Sequence, residues 1–187
     1  MTGVQDDQDA PAGQRAARLV AVGGTLGVLA YLVLCGLEIF VLAPRAGAPG
    51  RTLAQIYADL GASGELPHAM ALPAVVLLGG LAVCLAVIAV TFVYRRMTWL
   101  ASALTYLALL TMGAPMLVIA GFAPGMALSD VYGNSGADFH TVLSAGLVGL
   151  SGAALLSLLV LCGILAVDAL RSSSPGVGRP QGGTTAR

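Results

Sequence analysis

The sequence predicts an all-α integral membrane protein, a four-helix transmembrane bundle with a short amphipathic helix in its first outer loop. Three observations carry this expectation. Hydrophobic residues make up 57% of the 187 positions and charged residues 10%, with a mean hydropathy of +0.88; soluble domains are about 45–50% apolar and about 25% charged. Four apolar stretches each reach the roughly 20 residues that a helix needs to cross the hydrocarbon core. None of them alternates with the period of two that a membrane β-strand requires. Backbone groups in lipid must be satisfied within the segment, so each stretch is read as a helix.

The chain opens with a polar tail, residues 1–18, where Asp6, Asp7 and Asp9 precede Arg15 and Arg18. So few apolar side chains predict a disordered segment. The first span is expected at about 19–42, with Glu38 as its one acidic or basic residue. Ala46-Gly47-Ala48 resembles a signal-peptidase site. The apolar run before it is longer than the roughly 7–15 residues of a cleaved signal core, so the span is expected to remain as an anchor.

In the first outer loop Thr52 and Gln55 have the spacing of a capping box, in which each side chain satisfies the other's backbone N–H. Leu53, Ile56, Tyr57 and Leu60 then share one helical face, and Gly61 offers a left-handed stop. A short helix over 52–60 is expected, lying on the outer membrane surface or lidding the bundle. The second and third spans are expected at about 70–94 and 97–122, joined by a tight turn holding Arg95 and Arg96. Tyr94 and Trp99 are the interfacial anchors there. Pro115 should kink the third span, because it removes one backbone donor and crowds the preceding turn. The fourth span is expected at about 141–167, before a Ser/Gly/Pro-rich tail over 171–187 that predicts disorder. The transmembrane domain thus covers 19–170.

Arginine placement sets the expected orientation. Arg15, Arg18, Arg95, Arg96 and Arg171 lie on one side and only Arg45 and Arg51 on the other. The positive-inside rule then puts both termini in the cytoplasm and the chain in the cytoplasmic (inner) membrane. Lysine is absent and Asn134 is the sole asparagine, a composition typical of a high-GC bacterial genome. Net charge is 0, so no basic face for nucleic acid is present. The expected partners are the lipid bilayer and either a second copy of the chain or another membrane protein. Cys35, Cys84 and Cys162 lie at different depths with no CxxC spacing, which predicts neither a disulfide nor a zinc site.

Small residues four apart let helix backbones approach closely in lipid. Gly23 and Gly27 in span 1, Gly79, Ala82 and Ala86 in span 2, and Ala145, Gly149, Ala153 and Ser157 in span 4 are the expected packing rows.

The candidate chemistry sits at the outer rim. Glu38 lies four residues before Leu42, roughly 6 Å below the expected end of span 1. The only two histidines, His68 and His140, fall at the outer ends of spans 2 and 4. Two histidines and a carboxylate are a weak candidate metal site; two histidines on different helices hold haem iron; a carboxylate beside an imidazole passes protons. Each residue also has a structural reading. Glu38 reaches headgroups, Tyr31 or a loop amide. His68 follows Pro67 at a helix start, and His140 falls in the first turn of a helix capped by Asp138. No cofactor motif is evident. The expected function is that of a non-catalytic accessory or assembly partner. The alternatives are a small membrane enzyme or redox subunit using Glu38, His68 and His140, and an oligomeric transporter component.

Overall fold

The computed structural model describes residues 6–93, 98–133 and 141–173. Within them all regular structure is helical, and four helices are long and apolar enough to cross a membrane: Ala16–Gly47, Leu66–Val90, Trp99–Tyr132 and Val142–Ser172. The arginine turn at 95–96 and the tail from 174 lie outside the described residues.

Span 1 consists of α1 (Asp6–Leu37), a π-turn (Glu38–Leu42) and α2 (Ala43–Gly47). It exceeds the expected boundaries at both ends. At the start, residues 6–18, expected to be disordered, continue the helix. At the far end the chain does not stop before Pro44. Pro44 has no N–H for the carbonyl of Phe40 four residues back, and its ring crowds that carbonyl. The helix widens instead into the π-turn, where the Ala43 N–H donates to the Glu38 carbonyl, and then goes on.

The first loop, between spans 1 and 2, folds as α3 (Leu53–Ser63). Its capping box is formed: Thr52 N–H donates to Gln55 Oε1 at 2.9 Å and Gln55 N–H to Thr52 Oγ1 at 3.3 Å. Gly61 stays helical, and the left-handed stop is Gly64 at φ 82°. Ile56 and Leu60 are buried against Ala48, Ala69, Ala127 and Leu128, so α3 lids one end of spans 1, 2 and 3. Two tyrosines tie it down. The Tyr57 hydroxyl donates to the Phe40 carbonyl at 2.6 Å, which supplies the donor that Pro44 lacks. The Tyr132 hydroxyl donates to Asp59 Oδ2 at 2.8 Å. Burial pushes the Tyr57 phenol above its ordinary 10.0, so the donor keeps its proton across the neutral range. Tyr57→Phe strands the carbonyl, which costs about 1–2 kcal/mol. Amide exchange should therefore speed up in α3 while the four spans keep their protection.

Span 2 is α4 (Leu66–Val93), span 3 is α5 (Trp99–Thr111) followed by α6 (Gly113–Tyr132), and span 4 is α7 (Val142–Ser173). The Thr98 hydroxyl caps α5 by accepting from Ala101 N–H at 3.2 Å. Span 3 breaks at Met112, as Pro115 requires. The absent Pro115 N–H would have paired with Thr111, so α5 ends there. Pro115 then falls in the first turn of α6, where no donor is needed. Beyond the expected end at 122, α6 passes through the buried Pro124 and runs to Gly133 at φ 67°. Membrane helices tolerate such a proline where neighbours cover the freed carbonyl, and Ala127 and Leu128 are held under α3.

α1 runs through the middle of the bundle and touches α4, α5 and α7. Two tyrosine–glycine contacts set its register. The Tyr106 ring lies against Gly24, and its hydroxyl hydrogen-bonds Thr25 Oγ1 at 2.8 Å. The Tyr31 ring lies against Gly113, where a Cβ would come within 2.5 Å of it, and its hydroxyl reaches Ser151 Oγ at 3.0 Å. The expected packing rows are therefore displaced. Gly23 and Gly27 are exposed with nothing within 4 Å of a Cβ, and Gly24 makes the contact. Gly79 is likewise exposed, and Gly80 receives Leu32. On α7 the inward face is Leu147, Ser151 and Ala154, whereas Ala145, Gly149, Ala153 and Ser157 are exposed. The physical reason is that large side chains choose the groove. A Gly/Ala-rich helix offers several small-residue rows, and the tyrosines select one.

Candidate functional site

The break at Met112 shapes the half of the bundle that α3 lids. Below it, α5 packs closely on α1 and α7; above it, α6 leans onto α4 and touches α7 only sparingly. A cleft of about 740 Å³ opens between α6 and α7, with the π-turn at its back. Leu117, Val118, Phe122 and Leu128 give α6 an apolar wall, interrupted by Gly121 and Gly125. Ala145, Val148 and Gly149 form the α7 wall. A Cβ added at Gly121 or Gly149 would meet nothing within 4 Å, so both walls are open there.

Among the described residues one ionisable side chain lines this cleft. Glu38 is 4% exposed and begins the π-turn. Its Oε2 accepts from the Thr141 hydroxyl at 2.6 Å. The same hydroxyl accepts from Ser144 N–H at 3.1 Å, so Thr141 is the residue that caps α7. Asp138, the cap expected from sequence, lies outside the described residues. Thr141 thus spends its one donor on Glu38 and its acceptor on the helix end. A carboxylate has about four lone-pair sites, and the threonine uses one. Burying an acidic side chain within a span costs about 3 kcal/mol at a helix centre. π-turns are rare and concentrate at functional positions, and here one coincides with the carboxyl.

The structure brings Glu38 to Thr141 at the start of α7 but not to Tyr31, whose hydroxyl bonds Ser151. His68 stands exposed on the first turn of α4 and does not line the cleft. His140 lies outside the described residues. Among the described residues no group of three His, Cys, Asp or Glu side chains converges as a metal site would require. Cys35 and Cys84 are buried and Cys162 is exposed, all as free thiols. A second, smaller cleft of about 360 Å³ lies between α1, α4 and the Met112 break, and no charged residue lines it. Sequence reasoning missed Thr141 and the cleft itself. The available signal was a threonine three residues before Ser144, a cap spacing at the apolar boundary. Comparison with family models, curated proteins and solved structures finds no match to this chain.

Proposed function

We propose that the chain is a non-catalytic accessory or assembly partner in the bacterial cytoplasmic membrane, with both termini cytoplasmic. In this reading the α6–α7 cleft receives a transmembrane helix of another protein. The observation that carries it is the composition of the cleft: two apolar walls, each with small residues four apart (Gly121 and Gly125; Ala145 and Gly149), with open space above Gly121 and Gly149. Close backbone approach at such rows is what drives helix association in lipid, where no hydrophobic force separates helix from solvent. The exposed Ala153 and Ser157 extend the same row down α7. The arginine distribution supports the orientation.

The test is a filling substitution. A Cβ at Gly149 meets nothing within 4 Å and the position is exposed, so Gly149→Leu should leave the fold and its thermal stability unchanged. In native membranes, a Val118→Cys probe in the cleft wall, in a Cys162→Ser background, should crosslink to a discrete partner. Gly149→Leu should abolish that adduct, and a Leu78→Cys control on an exposed face of α4 should form none. An adduct that persists undiminished in Gly149→Leu refutes the assignment.

A further inference from the structure

Glu38 narrows what the cleft can accept. Resting on the docking reading above, we infer that the helix received there carries a basic residue, lysine or arginine, that meets the Glu38 carboxyl. The carboxyl is 4% exposed, lines the cleft, and has the Thr141 hydroxyl on Oε2 as its hydrogen-bond partner among the described residues. Among the described residues that hydroxyl engages one of the carboxylate's roughly four lone-pair sites. Acidic side chains inside a span pair with another group or mark a pathway, because an unpaired one is costly to keep there. Arg45, the nearest arginine along the same helix, is exposed and seven residues further on, about 10 Å along the axis. The open route to Glu38 is through the cleft.

Two features favour a helix over a lipid as the source of the cation. An acyl chain needs no small residues on its walls, whereas a helix backbone does, and both walls supply them at helical spacing. Thr141 and Ser144 at the start of α7 also place the carboxyl where that helix begins. A long basic side chain on a neighbouring helix reaches this level by extending toward the interface. The charged pair it forms is shorter and stronger than a neutral hydrogen bond.

The experiment uses the full chain, fluorescently labelled and reconstituted in phosphatidylcholine vesicles. The probes are synthetic Leu/Ala transmembrane helices bearing Lys, Gln or Leu one turn inside one end, with association read by energy transfer. The Lys helix should bind about tenfold more tightly than the Leu helix, the scale of one strong interhelical polar contact. Glu38→Gln keeps an acceptor for Thr141 and should fold normally. It should erase the Lys preference while leaving the Leu helix unchanged. Equal binding of the three helices to the native chain overturns the inference and leaves the docking reading standing, provided Gly149→Leu weakens all three. No binding, or binding indifferent to Gly149→Leu, overturns both. If phosphatidylethanolamine in the vesicles removes the Lys preference in a Glu38-dependent way, the cation belongs to a lipid headgroup and the partner-helix inference falls.

Discussion

Gly24→Ala should destabilise the bundle by about 2–3 kcal/mol, whereas Gly23→Ala and Gly27→Ala should be silent. A Cβ at Gly24 would overlap the base of the Tyr106 ring, starting at Cγ. That end of the side chain cannot swing away without moving α5. Tyr106 is itself 3% exposed and tied back to Thr25, so a shift also breaks a buried hydrogen bond. Overpacking of this kind costs about 1–3 kcal/mol, and losing the tyrosine–threonine bond adds up to about 1.7 kcal/mol. At Gly23 and Gly27 an added methyl meets nothing within 4 Å. Thermal unfolding of the three variants in one detergent separates these outcomes. Equal melting temperatures would mean that the tyrosine–glycine contact does not set the register of α1 against α5.

The second large effect is expected at Thr141. Its hydroxyl donates to Glu38 Oε2 at 2.6 Å and accepts from Ser144 N–H at 3.1 Å. Thr141→Val keeps the shape and removes both bonds. The lost cap costs about 1 kcal/mol, and a donor taken from a buried carboxyl about 1.5–3 kcal/mol. The sum is about 2.5–4 kcal/mol. Thr141→Ser restores both bonds and should recover most of the stability. In Glu38→Leu, where the carboxyl is gone, the further step to Thr141→Val should cost little beyond the cap. That double-mutant cycle isolates the pair. A Thr141→Val protein as stable as the parent would show that the pair does not hold α7 to span 1.

The features legible in the sequence were local ones. The Thr52–Gln55 capping box, the break forced by Pro115 and the four long apolar runs each depend on residues within a turn or two of one another. What escaped reading depends on groups far apart. The sequence alone gives no sign that Tyr57 replaces the donor missing at Pro44, or that span 1 runs on past 42 to Gly47. Gly23 and Gly24 are equally small, and only the position of Tyr106 makes one of them the contact. At the candidate site the importance of Glu38 was legible from its cost in a span. The threonine opposite it and the wedge opened by the leaning of α6 were not.

The hydrogen bonds that anchor span 1 carry a consequence for how the chain is made. Thr25, Tyr31 and Glu38 find their partners 81, 120 and 103 residues later, in spans 3 and 4. The first of the four spans therefore leaves the ribosome with three polar groups whose partners have not yet been synthesised. Water, headgroups or the insertion machinery must satisfy them in the interval. A nascent chain halted after span 3 holds both partners of the Thr25–Tyr106 bond, while those of Tyr31 and Glu38 are still to be made. Arrival of the fourth span supplies both together, so closure of these two bonds is timed by its synthesis.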